Sequence, residues 1–321
     1  MSVSEFDLIR QYFAEATAAR ADVLLGIGDD CALLQPPLGA CLAVSIDTLV
    51  EGRHFLPGTD PESLGHKALA VNLSDLAAMG ARPAWATLAL TLPDADVDWL
   101  RHFMQGFAAL AAEHQVQLVG GDTTRGPLSI TVQVHGFVDP SKVLRRAGGR
   151  PGDLLFVSGR VGDAALALQR LEGAVTGAPC EPSLQERLDR PSPRVSLGLL
   201  LLGRANAAID VSDGLIADLG HICAASGTGA RVELGRLPVS QLVGDECATG
   251  NWRYALAGGD DYELLFSIEP ARAPAMQKAC AGAGQQVQEV GCLVDDSGIT
   301  LVYPDGRESE EIPDGFDHFR T

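Results

Sequence analysis

The residues that could do chemistry in this chain are aspartates, set beside glycine or at the ends of apolar runs. Asp29 and Asp30 follow Gly26-Ile-Gly, and Asp47 closes the apolar stretch Cys41–Ile46, two residues after Ser45. Asp75 lies in Asn72-Leu-Ser-Asp-Leu-Ala-Ala-Met-Gly, and Asp122 follows Gly120-Gly121. Asp210 and Asp213 share the run Asp-Val-Ser-Asp-Gly, and Asp260 and Asp261 follow Gly258-Gly259. An aspartate next to glycine is ordinarily a turn or capping residue. Asp75 is different, because Leu73, Leu76 and Met79 surround it with helical spacing and an unpaired carboxylate there would be costly. It calls for a metal or a basic partner. Carboxylates that converge repel one another unless cations sit among them, and hard oxygen donors select Mg²⁺ or Mn²⁺. Together with glycine-rich backbone, that combination points to nucleotide phosphate chemistry.

Other chemistries are excluded by what the chain lacks. It has no GxxxxGK[ST] loop, Gly26-Ile-Gly is a lone GxG without the third glycine of a dinucleotide fingerprint, and no HRD…DFG kinase set occurs. The seven cysteines form no CxxC pair and the histidines no HExxH, so neither a zinc site nor a disulfide framework is expected. The formal charge of −18 argues against nucleic acid as a partner. No apolar run approaches the ~20 residues of a membrane span, and the first residues do not read as a signal peptide. A cytoplasmic protein is the expectation.

These aspartates need elements to hold them. Apolar spacing predicts helices over 4–18, from Pro61, over 94–114, 163–173 and 194–206, from about 214 to 226, and over 271–283. Strands are expected at 41–46, 84–92, 116–119, 128–138, 154–158, 262–268, 287–293 and 298–302. The alternation implies an α/β chain of the α+β type with two mixed α/β domains, as its 321 residues allow. The Arg-, Gly- and Pro-rich stretch 139–153 reads as a linker between an N-terminal domain, 1–138, and a C-terminal domain, 154–321.

Six motifs in order then carry a resemblance: Gly28-Asp-Asp-Cys-Ala, Asp47-Thr-Leu-Val-Glu-Gly-Arg-His-Phe, Asn72-Leu-Ser-Asp-Leu-Ala-Ala-Met-Gly-Ala-Arg-Pro, Gly120-Gly-Asp-Thr-Thr-Arg-Gly, Asp210-Val-Ser-Asp-Gly-Leu and Gly258-Gly-Asp-Asp-Tyr-Glu-Leu. With the tail Gly315-Phe-Asp-His-Phe, they resemble the thiamine-monophosphate kinase family, a branch of the superfamily that includes aminoimidazole ribonucleotide synthetase and selenophosphate synthetase. The resemblance implies that superfamily's fold, a homodimer through the N-terminal sheets, and ATP bound near the subunit junction. It implies that Asp30, Ser45, Asp47, Asp75, Asp122, Asp210 and Asp213 hold several Mg²⁺ ions. Position 46 is usually Thr in the family; here Ile46 could offer only its main-chain carbonyl. Gly121, Asp122, Arg146 and Ser212 would contact ATP, and His54, Asp260 and Phe316 the thiamine. On sequence alone Arg145-Arg146 reads equally as a solvated pair. Many relatives carry Trp in place of Phe316 and Glu in place of Asp260.

The implied reaction is transfer from ATP to thiamine monophosphate. The acceptor phosphate, with its second pKa about 6, needs no general base. The other readings of the residues are another ATP-dependent kinase or synthetase of the superfamily and a non-catalytic Mg-nucleotide-binding protein.

Overall fold

The structure is a computed structural model describing residues 9–173, 180–313 and 315. The chain divides into two compact units, Met1–Leu76 with Ala81–Ser141, and Ala77–Gly80 with Lys142–Thr321.

The first unit opens on a short π-type turn, Ile9–Phe13, where a longer helix is expected. Residues 4–8 of that expected helix lie outside the described residues. The strands β1 (Val23–Leu25) and β2 (Leu33–Leu34) form a small antiparallel pair. The main sheet follows from β3 (Cys41–Val50), β4 (Arg82–Leu92), β5 (Gln117–Arg125) and β6 (Ser129–Val138), in the order β3-β6-β4-β5. Only the β4/β5 pair is parallel.

Period-two alternation gives this sheet two unlike faces. Ile130, Val132, Val134 and Val138 of β6 are buried on one side. Helix Pro61–Ala78 reaches that side, since a Cβ on Gly136 of β6 would lie 3.2 Å from Leu76. This helix is buried nearly all round, with Leu64, Leu69, Leu73 and Leu76 at 1% exposure or less. Helix Val97–Glu113, capped by Asp96, whose side chain accepts the amides of Asp98 and Trp99 at 3.0 Å, crosses it closely. A Cβ at Gly65 would sit 1.9 Å from the Phe103 carbonyl, and one at Gly106 1.8 Å from that of Glu62, so only glycine allows this approach.

The opposite face is covered at one corner, where Val23, Ala32 and Leu34 pack on Ala84, Trp85 and Val119. Asp22 accepts the Trp85 indole N–H at 3.0 Å there. Along β3 the same face lies open, with Leu42, Val44 and Ile46 exposed at 44, 51 and 59%.

The second unit is built on a seven-stranded sheet. Its strands are β7 (Leu154–Ser158), β8 (Ala207–Val211), β9 (Gly229–Glu233), β10 (Glu263–Ile268), β11 (Val287–Val294), β12 (Ile299–Val302) and β13 (Glu308–Ser309), in the order β13-β12-β9-β11-β7-β10-β8. All neighbouring pairs are antiparallel except β12/β9. Its core runs from Leu155 and Val157 through Ile209 and Val211 to helix Leu215–Ser226, whose Leu215, Ile216, Leu219 and Ile222 are buried.

Residues 142–153 are tied into this unit. Arg145 O accepts from Ala208 N at 2.8 Å, continuing the ladder beyond β8. Asp153, 3% exposed, accepts Arg150 N (3.0 Å), Asn206 Nδ2 (2.8 Å) and Ser267 Oγ (3.3 Å). Ser226 Oγ donates to the Arg146 carbonyl and accepts Gly149 N.

Among the described residues no helix is long and apolar enough to cross a membrane.

Candidate active site

In the first unit the acidic motifs converge where β3 faces helix Pro61–Ala78. Ser45 and Asp47 stand two apart on one side of the strand, and Asn72 and Asp75 three apart on one side of the helix. Ser45 Oγ donates to Asp75 Oδ2 at 2.5 Å. Asp47 N donates to Asn72 Oδ1 at 3.1 Å, while Asn72 Nδ2 donates to Ala68 O at 3.1 Å. Asn72 is fully buried and fixes the backbone of β3 at the carboxylate. Burial, reinforced by the adjacent Asp75 carboxylate, pushes the Asp47 carboxyl up to about 6. Two crowded carboxylates and a hydroxyl form an all-oxygen donor set, and the raised Asp47 reflects burial first and then the Asp75 charge, both of which a bound cation would offset. These residues therefore fit Mg²⁺.

The other expected residues of this unit lie elsewhere. Ile46 turns its side chain to the open face. Asp122 pairs with Ala89, Ala89 with Thr131, and Thr131 with Thr48, so it belongs to that open face too, opposite to Asp47. The Gly120-Gly121-Asp122 motif is part of β5, whereas the expected strand stopped at residue 119. The reason is close approach: a Cβ at Gly121 would lie 1.9 Å from the Leu88 carbonyl, so the glycine lets the ladder continue. Asp30 is exposed, its amide donating to Asp29 Oδ1 at 2.8 Å. His54 Nδ1 accepts Val50 N at 3.0 Å, so a neutral ring carries its proton on Nε2.

In the second unit β8 delivers Asp210, 5% exposed and opposite Leu264, and then the loop Ser212-Asp213-Gly214. Asp218, one turn into helix Leu215–Ser226, folds back so that Oδ2 accepts both Ser212 N and Asp213 N at 3.1 Å. Burial and then the Asp213 carboxylate push Asp218 up to about 7, against the pull of those two amides and of the Arg146 charge. Asp218 does not stand out in the sequence; its signal is an acid in the first turn of a helix that begins at a glycine.

Gly258-Gly-Asp-Asp-Tyr-Glu closes over the same loop. Asp260 N donates to Ser212 O at 3.0 Å and Tyr262 N to Val211 O at 2.8 Å. Asp260 and Tyr262 hold left-handed φ of 68° and 49°, and the Tyr262 hydroxyl donates to Asp260 Oδ1 at 3.1 Å. Neither glycine tolerates a side chain, because a Cβ would meet the Tyr254 carbonyl at 2.4 Å or that of Ser212 at 2.5 Å.

The remaining acids of this motif are structural. Asp261 accepts Gly162 N at 3.0 and 2.9 Å, and burial drives its carboxyl well above the usual range. Glu263, fully buried, accepts from Ser158 Oγ (2.5 Å), Arg187 (2.8 Å) and Arg194 (2.6 and 2.5 Å). Burial opposes its charge, but Arg194, Arg187 and Ser158 outweigh it and hold the carboxyl below its ordinary value.

Arg146 is exposed, and Gly315 rests against Asp213, a Cβ there lying 2.9 Å from its carbonyl. Phe316 lies outside the described residues. Among the described residues no three His, Cys, Asp or Glu side chains gather closely enough to hold a metal by themselves.

Comparison with known proteins places this arrangement. The N-terminal domain of AIR synthase related protein matches residues 28–138, and its C-terminal domain matches 150–304. The chain is 47% identical to thiamine-monophosphate kinases of Escherichia coli K12 and Salmonella typhimurium, covering all of both chains in each case. A thiamine-monophosphate kinase structure from Stenotrophomonas maltophilia superposes with a TM-score of 0.86 at 46% identity, over 96% of this chain and 99% of that one. AaThiL complexed with AMPPCP and TMP gives 0.76 at 32%, over 91% and 92%. The chain thus belongs to the AIR synthase-related family and, within it, to the thiamine-monophosphate kinases.

Proposed function

We propose that this chain transfers a phosphoryl group from ATP to thiamine monophosphate, giving thiamine diphosphate and ADP. The observation that carries the reading is the Ser45–Asp75–Asp47 oxygen cluster, in a chain that matches thiamine-monophosphate kinases from end to end. A relative that holds AMPPCP, an ATP analogue, together with TMP supports both substrates.

Both reactants are polyanions, so the barrier lies in bringing phosphate to phosphate. Mg²⁺, when bound, supplies the charge that offsets this repulsion. Asp47, Asp75 and Ser45 would hold it, with Asp30, Asp122, Asp210, Asp213 and the Ile46 carbonyl as further donors by family resemblance. Gly121, Asp122, Arg146 and Ser212 are read as the ATP side, and His54, Asp260 and Phe316 as the thiamine side. The acceptor oxygen is already ionised near neutral pH, so transfer is direct and in line and no side chain is assigned as base.

A homodimer completes the reading. The open face of the sheet carries the apolar residues of β3 at one edge and Asp122 of β5 at the other, so a second copy on that face would bury the former and bring Asp122 to the junction.

The test couples ADP release to a reporter with ATP, Mg²⁺ and thiamine monophosphate, using free thiamine as control. Release that depends on thiamine monophosphate is expected; release indifferent to it would overturn the assignment.

A further inference from the structure

We infer that Asp218 is a positioning residue for the nucleotide-phosphate side of the site: its buried carboxylate shapes the Ser212–Asp213 loop so that both side chains face outward. The inference rests on the reading of Ser212 as an ATP contact and Asp213 as a cation ligand.

The geometry is specific. Asp218 is 2% exposed, and a single oxygen, Oδ2, takes two successive amides. Those N–H groups are taken up by the buried carboxylate, and the half-buried side chains of Ser212 and Asp213 remain as what the loop offers. Gly214, at φ 116°, makes the bend that lets the helix return beneath the loop, and a Cβ there would meet Ala257 at 2.8 Å. On its other side the loop is held by Asp260 N on the Ser212 carbonyl. The loop is therefore pinned from two directions, by the Asp218 side chain and by the Asp260 backbone. The helix itself starts on Gly214, which offers no side-chain cap, and Asp218 in its first turn takes up the amides of the two residues before that glycine.

Because both bonds go to one oxygen, an amide can replace the carboxylate. Asp218→Asn keeps an acceptor in place and should leave the KM for ATP within about threefold of the parent. Asp218→Ala removes both bonds and should raise it about tenfold or more, the loss of hydrogen bonds to a charged group. Hydrogen exchange of a peptide spanning 209–218, measured without nucleotide or metal, gives a second readout. The Ser212 and Asp213 amides should exchange faster in the Ala variant and at the parent rate in the Asn variant. If the Ala variant does not fold, Asp218→Glu replaces it, since one added methylene displaces the oxygen while keeping the charge and should weaken ATP in the same way. Unchanged ATP affinity in the Ala or Glu variant, or an Asn variant as impaired as Ala, overturns the inference. ATP binding by the parent protein tests the underlying reading separately.

Discussion

At the scale of single residues, the site is a problem of like charges. Asp47 and Asp75 crowd one another, and the Ser45 hydroxyl donates to Asp75. Asp75→Asn removes that mutual repulsion and keeps an acceptor for Ser45. Stability without Mg²⁺ should therefore be equal or higher, while turnover at saturating Mg²⁺ should fall roughly 10²-fold or more, as when a charge aimed at the transition state is lost. Melting curves paired with initial rates check both halves, and parent-like turnover would remove Asp75 from the site. The apolar flanks of Asp75 signal in the sequence a carboxylate that needs company. They do not say whose, because Ser45 is 30 residues away and meets it only across a strand and a helix. Asn72 and Asp218 are harder still to read. Each acts on backbone amides, and every Asn or Asp can do that somewhere.

Among the elements, strand β10 shows how a motif can hold its shape from beneath. Its sequence reads as an apolar strand beginning at residue 262, and the strand begins at Glu263, a charged residue in the middle of the second unit. What makes that possible is the stretch 180–194, where helix Pro182–Asp189 carries Arg187 and Arg194 follows it, so that the two supply both counter-charges. Ion pairing between distant segments leaves no periodic trace, so the sequence gives no hint of this pair. Glu263→Gln strands two arginines against a neutral amide and should cost about 3–5 kcal/mol near pH 7. The pH dependence has a definite sign. The folded carboxyl titrates below its ordinary value of 4.5, so its contribution is present above that value and is lost as pH falls through the folded pKa. Denaturant melts at pH 7 and below pH 4 should show parent and Glu263→Gln converging in acid. A constant gap would mean that the charge is not what stabilises β10.

For the whole molecule, the open face of the first sheet sets the decisive question. Leu42, Val44 and Ile46 project from an edge strand, and an isolated chain would leave them in water. By register Asp122 shares their face, while Asp47 and Asp75 occupy the other. If all three serve one reaction, the most direct solution is that two copies close on this face and Asp122 of each serves a site at the junction. Charge works against this, because each copy carries −18 and like charges repel until salt screens them. Sedimentation equilibrium should therefore give twice the chain mass of 33.7 kDa, with a dimer that tightens as salt rises. Ile46 is 59% exposed within one chain, so Ile46→Lys should leave each copy's melting intact in dilute solution. The same change places two buried ammonium groups in the interface, which should yield monomers and abolish turnover together. A parent protein that sediments at 33.7 kDa while phosphorylating thiamine monophosphate would break this link, and Asp122 would then have no place in the reaction.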